Sequence, residues 1–355
     1  MSGGVDSSTV AAMLKRDGVD CVGLTMQTWP SADKVASSGR ARGCCSVAEI
    51  LDAERVAWRL GIPHYTLNIR NDFEATVIDD FVSEYVAGRT PNPCVRCNQH
   101  IKFELFLERA RGLGADRVAT GHYARIRHDA DSGRWKLLRG LDHSKDQSYV
   151  LYPMTQEHLS HALFPLGELT KAETRQLARD FGLAVADKQD SVEICFVPHG
   201  HYGDFVAARR PDAVRPGPVV TESGEVLGEH RGLPYYTIGQ RKGLGVSTAD
   251  PLYVLRLEPK ENRIVVGPSE ALNKSRFVAI DPNWISFPAL NEPRQCMARI
   301  RYNSSDVWAE IAPASDNQVE VHLAGGARAI APGQAVVFYD NDEVLGGATI
   351  DRVIS

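Results

Sequence analysis

The chain has 355 residues, 43% hydrophobic and 24% charged, an ordinary globular mixture with length for about two to three domains. Its formal net charge of -5 argues against promiscuous nucleic-acid binding, although Arg294, Arg299 and Arg301 can still form a local basic face. Its apolar runs are far too short to span a membrane and no signal-peptide pattern is read at its start; seven scattered cysteines, an odd number, suit a reducing cytoplasm better than a disulfide framework.

The first distinctive stretch is Ser2-Gly3-Gly4-Val5-Asp6-Ser7-Ser8, which runs into the apolar helical pattern Val10, Ala11, Met13, Leu14. Two adjacent glycines permit a tight turn that brings backbone N–H groups close to an oxyanion. The hydroxyls of Ser2, Ser7 and Ser8 add donors, and the helix N-terminus aims its positive end at the same point. This is a phosphate cradle without the Gly-Lys-Ser/Thr of a Walker loop. Such a loop follows a β-strand, and none precedes it here. A buried strand carries about five apolar side chains worth roughly 1.5–3 kcal/mol each. The natural protein is therefore expected to begin upstream, with Met1 an internal methionine or a late start.

The first helix stops near Asp17-Gly18, and Cys21–Met26 reads as a buried strand. Residues Pro30–Gly43 are small and polar and read as a mobile loop. Ser46-x-x-Glu49 is a capping box for a helix bearing Val47, Ile50, Ala53, Ala57 and Leu60, which ends at Gly61-Ile62-Pro63. His64–Arg70 is the next strand, and Phe73, Val77, Phe81 and Tyr85 mark a long helix. Gly88–Asn98 is too rich in proline and asparagine for regular structure. A helix over Ile101–Arg111 leads to a strand at Arg117–Thr120. This alternation predicts an α/β fold with a parallel sheet covered on both faces, and ligands at the carboxyl ends of its strands. Met26, Gly121-His122-Tyr123 and the cradle belong at that edge.

Further along, Trp135–Leu138 reads as a strand, Thr170-x-x-Glu173 as a second capping box whose helix ends at Phe181-Gly182, and Asp190–Val197 as a short extended segment with an isolated cysteine. After about Phe205 prolines and glycines punctuate short strands, and from about Arg276 alternating apolar residues predict a small antiparallel barrel. The expected domains are a parallel-sheet catalytic domain over 1–205, lacking its first strand, a small mostly-β domain over 206–274 and an antiparallel β-barrel over 275–355.

Ser-Gly-Gly-x-Asp-Ser resembles the PP-loop of ATP pyrophosphatases. Taken with Gly88–Asn98, Ile101-Lys102-Phe103, Ala119–Tyr123, Lys145–Tyr149, Asp190–Phe196 and Tyr236–Arg241, it makes the chain resemble the MnmA (TrmU) tRNA-specific 2-thiouridylases over nearly its whole length. That resemblance implies a cytoplasmic, ATP-dependent sulfurtransferase. ATP would adenylate the C2 oxygen of a wobble uridine, as in tRNAs for Lys, Glu and Gln, and persulfide sulfur would then displace AMP. It puts Ser2, Gly3, Gly4, Asp6, Ser7, Ser8, Met26 and Gly121 around ATP, with Asp6 holding Mg²⁺ through ATP. Cys97 falls at the nucleophile and Cys195 at the persulfide-bearing position. Asn92, Pro93 and Cys94 would meet the target base, and His122, Lys145, Asp146, Gln147, Arg301, Tyr302 and Gln334 the tRNA. A cysteine desulfurase or sulfur-relay protein would deliver the persulfide, and no membrane partner is implied.

The residues alone leave alternatives open. A lone cysteine such as Cys195 is ordinarily a small core residue, and Lys145 and Arg301 can equally be solvated charges. Cys94-x-x-Cys97 is half a zinc site with no second half. Cys44-Cys45 reads as structural. Many family members carry Asp where this chain has Cys94, so Cys94, Cys97 and Cys195 could instead ligate a [4Fe–4S] cluster with one open iron. An adenylating ligase of the same PP-loop class would not need paired cysteines, and a non-catalytic RNA-binding module would not need an intact cradle.

Overall fold

The computed structural model describes residues 1–28, 47–190, 194–197, 201–315 and 317–355. The loop expected at Pro30–Gly43, the Cys44-Cys45 pair and the Ser46 cap lie outside the described residues. Two compact units are formed. One comprises Met1–Val77, Cys94–His199 and Asp342–Val344, the other Ile78–Pro93, Gly200–Asn341 and Leu345–Ser355.

In chain order the first half contains α1 (Val5–Arg16), β1 (Gly23–Gln27), α2 (Val47–Leu60), β2 (His64–Asn68), α3 (Arg70–Phe73), α4 (Asp79–Val86), α5 (Pro93–Arg96), α6 (Phe106–Gly112), β3 (Val118–Ala119), β4 (Ala124–Asp129), β5 (Arg134–Arg139), α7 (Gln156–His161), β6 (Ala162–Leu163) and α8 (Lys171–Asp180). β1 runs parallel to β2, from Gly23 opposite His64 to Gln27 opposite Asn68, and β3 runs parallel to β6. The Met1 amino group donates to the Leu24 carbonyl, and the Thr25 hydroxyl donates to the Met1 carbonyl at 2.7 Å. α1 buries Val5 and Ala12 against Val56 of α2 and Ala178 of α8, while the expected Val10, Met13 and Leu14 pack with Tyr123 and Leu166. Both halves of the Thr170 capping box are present, and Gly182 with φ 65° ends α8.

Three expectations need correction. The long helix through Phe73 and Tyr85 is α3 and α4 joined by a π-helical turn over Glu74–Ile78. Its apolar residues recur every four positions and drift by about 40° per step from a 3.6-residue turn. The wider turn absorbs part of that drift, and all four are buried. The Gly88–Asn98 stretch is regular from Pro93 onward, because proline suits the first helical position, where its missing N–H is not needed. A nine-residue π-helix, Cys97–Leu105, then carries the chain into α6. Finally, β2 is not covered, since Tyr65, Thr66 and Asn68 are exposed.

The second unit begins with α4, which the sequence reading grouped with the catalytic domain. Its Phe81 meets Phe205 edge-on at 6.1 Å and its Tyr85 stacks on Tyr202 at 4.7 Å, both on α9 (Tyr202–Arg209). β7 (Gly217–Thr221), β8 (Val226–His230), β9 (Tyr253–Glu258) and β10 (Arg263–Gly267) form a sheet in the order β8-β7-β10-β9 over Val219, Tyr236, Val254 and Ile264. β11 (Asn273–Trp284), β12 (Arg294–Arg299), β13 (Val307–Pro313), β14 (Gln318–Arg328), β15 (Ala335–Asp340) and β16 (Glu343–Val353) follow. β11 pairs with both β14 and β16, which closes the expected antiparallel barrel around Phe277, Ile311, Val321, Val336, Phe338 and Ile350. Among the described residues no helix is long and apolar enough to cross a membrane.

Candidate active site

The cradle is shaped by two glycines, of which Gly3 could not be replaced without movement. Gly3 has φ +66°, and a Cβ there would lie 2.2 Å from the Glu49 carbonyl oxygen in α2. Gly4 is the N-cap of α1 and supplies no side-chain cap, so the first-turn N–H groups remain directed outward. Ser7 Oγ accepts from the Ser2 N–H at 3.0 Å and lies 3.0 Å from Ser2 Oγ. Ser8 Oγ is buried without a hydrogen-bond partner among the described residues. An outward-facing turn of amides, clustered hydroxyls and an orphaned buried donor fit a polyphosphate. Gly121, after β3, packs so closely that a Cβ would sit 2.8 Å from Asp6 Cβ and 2.9 Å from the Ser7 nitrogen. Gly121→Ala must therefore push the loop aside. ATP affinity is expected to fall about tenfold or more, because overpacking costs roughly 1–3 kcal/mol. Calorimetric titration would measure it, and unchanged affinity would remove Gly121 from the site.

Asp6 is not a free carboxylate. Lys171 Nζ holds both of its oxygens at 2.8 Å, and the Tyr123 hydroxyl donates to it at 2.9 Å. Burial pushes the Tyr123 phenol up, so it remains a donor. The same Lys171 ammonium reaches Asp190 at 2.8 Å, where Lys145 at 2.9 Å and Arg175 at 3.2 Å also converge. Burial opposes the Asp190 charge, but Lys171 and Lys145 outweigh it and hold the carboxyl below its ordinary range. Lys171 and Arg175 were not singled out from the sequence, and Tyr123 was placed only at the strand edge, without a role. The capping box places Lys171 first in α8, but only the packing of α8 on α1 turns it toward Asp6. Met26 lies on β1 opposite Leu67 and is half-buried.

The cysteines differ sharply in setting. Cys94 and Cys195 are exposed and Cys97 half-buried, whereas Cys296 is buried, which pushes its thiol up to about 12. Cys195 is not in an extended segment. Residues 194–197 form a turn closed by the Val197 N–H on the Ile194 carbonyl at 3.1 Å. Phe196 anchors that turn edge-on against Phe73 at 5.8 Å, and Ser191 to Glu193 lie outside the described residues. Cys97 opens the π-helix, so Lys102, five residues on, shares its face. Among the described residues no group of three or more His, Cys, Asp or Glu is placed to hold a metal ion, so Cys94, Cys97 and Cys195 do not form a ready ligand set there.

Several residues expected to touch tRNA are engaged internally. His122 is buried between Phe103 and Phe164, with Nδ1 2.7 Å from Thr120 Oγ1 and Nε2 3.4 Å from Lys102 Nζ. Asp146 is buried and accepts from the Gly140 and Ser148 N–H groups and the Ser148 hydroxyl. Gln147 Oε1 accepts from the Tyr123 N–H at 3.1 Å. Gln147 thereby braces the Gly121–Tyr123 turn, and Asp146 braces the 140–148 loop. In the second unit, Gln334 Nε2 donates to the carbonyls of Thr90 at 2.8 Å and Pro91 at 3.3 Å, and so supports the backbone leading to Asn92 and Pro93. Arg301 donates to the Ile238 and Ala329 carbonyls, Arg299 pairs with Asp306 at 2.7 Å, and Tyr302 is exposed.

Burial, aided by Lys102, holds His122 neutral well below the ordinary histidine range. Below about pH 6.5 the unfolded chain takes up a proton that folded His122 refuses, so stability falls with pH. His64, His158, His201 and His230 are shifted the same way by burial and share the effect. His122→Gln should therefore make the urea midpoint less sensitive between pH 7 and 5, and an unchanged dependence would contradict this assignment.

Residues 1–199 match a family model described as the tRNA methyl transferase HUP domain, residues 203–268 its PRC-barrel domain and residues 274–350 an aminomethyltransferase beta-barrel domain. Curated relatives named tRNA-specific 2-thiouridylase MnmA are similar throughout. The Heliobacterium modesticaldum protein is 53% identical across 99% of this chain and 91% of its own length. The Symbiobacterium thermophilum protein is 50% identical across 100% and 92%. A Clostridium perfringens protein is 48% identical across 100% and 98%.

Proposed function

We propose a residue-level mechanism for this chain from the premise that it belongs to the MnmA family of tRNA-specific 2-thiouridylases. It is an ATP-using tRNA sulfurtransferase. A C2 carbonyl oxygen leaves poorly; adenylation turns it into the leaving oxygen of AMP. Backbone N–H groups at the start of α1 and the hydroxyls of Ser2, Ser7 and Ser8 bind the departing pyrophosphate. Asp6 would hold Mg²⁺ through ATP, and the ion when bound would supply charge neutralisation at that leaving group. Gly121 and Met26 close the nucleotide side, and Asn92, Pro93 and Cys94 meet the uridine.

Cys195 receives a persulfide from a cysteine desulfurase or relay protein, which its exposed turn leaves accessible. The Cys97 thiolate attacks the inner sulfur, forms a Cys97–Cys195 disulfide and expels hydrosulfide, which displaces AMP. An external thiol reductant then returns two electrons to the disulfide. Both thiols must begin reduced, which suits the cytoplasm. Lys145, Arg301 and Tyr302 offer RNA contacts, while His122, Asp146, Gln147 and Gln334 act by holding the loops around them. Wobble uridines of tRNAs for Lys, Glu and Gln are the expected targets.

The observation that carries this reading is the polyphosphate-shaped cradle with Asp6 beside it, in a chain that also presents exposed Cys94 and Cys195 thiols. Incubation with tRNA, ATP and a persulfide source should yield 2-thiouridine by nucleoside mass spectrometry. Its absence with folded protein would defeat the assignment.

The cluster route would need Cys94, Cys97 and Cys195 together. The persulfide route needs only Cys97 and Cys195, so Cys94→Asp should retain activity within about threefold and Cys94→Ala should lose no iron. Anaerobic purification with iron analysis decides between them. Stoichiometric iron lost together with activity in Cys94→Ala would overturn the persulfide route.

A further inference from the structure

We propose that the Lys102 ammonium, aimed by the buried imidazole of His122, holds the hydrosulfide that Cys97 expels from the persulfide until it attacks the activated uridine. The inference deepens the reading above and rests on it, since hydrosulfide is set free only if Cys97 opens the persulfide.

Cys97 and Lys102 stand on one π-helix, Cys97–Leu105. Were this stretch α-helical, at 100° per residue, Lys102 would lie about 140° round the axis from Cys97. The wider i→i+5 turn brings it back to the face of Cys97, and such turns are rare outside functional sites. The half-buried lysine is then steered. Its Nζ lies 3.4 Å from His122 Nε2. An ammonium cannot accept, so Nε2 accepts from it and Nδ1–H donates to Thr120 Oγ1 at 2.7 Å. The imidazole is itself clamped. Phe103, next to Lys102 on the same helix, and Phe164 lie 5.8 and 5.6 Å from its centroid and 5.9 Å from each other. The Thr120 N–H is fixed on the Leu163 carbonyl at 3.0 Å. Burial keeps His122 neutral, so its bond directs the ammonium without adding a negative charge to it. His122 is a positioning residue, acting through Lys102.

The sulfur step creates a need for such a cation. The Cys97 thiolate bonds to the inner sulfur of the Cys195 persulfide. The old S–S bond breaks with its electron pair on the outer sulfur, which leaves as hydrosulfide. Hydrosulfide then bonds to C2 of the uridine, and the C2–O bond breaks with its pair on AMP. The hydrosulfide proton passes to N3, which gave one up on adenylation. Between the two displacements the sulfur is a small anion with no covalent tether. An ammonium fixed on the face of Cys97 meets it where it is released, through a charge-assisted hydrogen bond. Holding it there makes the second displacement a reaction within the site rather than an encounter from solution.

The test counts where the sulfur goes in a single turnover. Enzyme loaded with persulfide at Cys195 by inorganic polysulfide, then desalted, is given tRNA and Mg-ATP without reductant and quenched with monobromobimane. Mass spectrometry reads 2-thiouridine, trapped sulfide and the Cys97–Cys195 disulfide in the same sample. The wild type should form about one 2-thiouridine per disulfide closed, as the displacement above requires. In Lys102→Met that yield should fall about tenfold or more, the loss expected for one charge-assisted hydrogen bond, with the missing sulfur recovered as free sulfide. Lys102→Arg should restore part of the yield. His122→Phe, the independent variant should Lys102→Met not fold, should also lower it, whereas His122→Gln keeps an acceptor and should stay within about threefold of wild type. A wild-type yield per disulfide in Lys102→Met or in His122→Phe would overturn the proposal. So would a Lys102→Met protein that folds but closes no disulfide, which would put the lysine in the first displacement. A wild type that forms 2-thiouridine without closing the disulfide would overturn the reading of Cys97 itself.

Discussion

Asp6→Ala is expected to reduce tRNA-dependent pyrophosphate release to background, a loss of at least 10²–10³ by analogy with removal of one preorganised charge-stabilising group. Two effects combine. The departing pyrophosphate loses the carboxylate proposed to hold Mg²⁺. Lys171, which holds both Asp6 oxygens at 2.8 Å, is left with Asp190 as its carboxylate partner. The Asp6 side chain is 31% exposed, so solvent screens part of the second effect and the folded state should survive. Asp6→Asn separates the two, since it can still accept from the Tyr123 hydroxyl but carries no charge. It should be nearly as inactive as the alanine variant. Near-normal pyrophosphate release from either protein would show that Asp6 serves the fold rather than the reaction.

Cys195→Ser and Cys97→Ser should each abolish 2-thiouridine formation while leaving ATP-dependent pyrophosphate release within about tenfold of wild type. A hydroxyl cannot carry a persulfide or close a disulfide, so no partial route remains. In the proposed mechanism adenylation precedes sulfur transfer and draws on the cradle, to which neither cysteine belongs. Nucleoside mass spectrometry and a pyrophosphate assay on the same reaction separate the two halves. Cys296→Ser is the control, because its buried thiol, raised to about 12, is inert at neutral pH. Thiolation by Cys195→Ser would reassign the sulfur carrier. Loss of pyrophosphate release in Cys97→Ser would mean that Cys97 also takes part in adenylation.

The tRNA-binding assignments shift most once burial is considered. Lys145, Asp146 and Gln147 are adjacent in sequence, and all three read as polar RNA contacts. In the fold Asp146 is enclosed by the Gly140 and Ser148 amides, Gln147 holds Tyr123, and Lys145 faces Asp190. Substituting Asp146 should therefore disturb the 140–148 loop before it alters RNA affinity. Gln334 likewise acts on the backbone of Thr90 and Pro91.

What the sequence by itself determined is the local chemistry. Gly3-Gly4 and the serines specify a phosphate loop, because its conformation depends on residues adjacent in the chain. Thr170-x-x-Glu173 specifies the start of α8 for the same reason, and alternation from Arg276 onward specifies barrel strands. The tertiary structure alone decided which distant groups meet. Lys171 joins Asp6 to Asp190, Gly121 touches Asp6 and Ser7, and Lys188 reaches the Gly3 carbonyl. It also decided that the helix after Pro93 relaxes into a π-helix that puts Lys102 on the face of Cys97. Periodicity reports which face of an element is apolar, and it carries no information about which charged side chain on another element that face will meet. Those pairings follow from how α1, α8 and the strand ends pack, and that packing is a property of the whole chain.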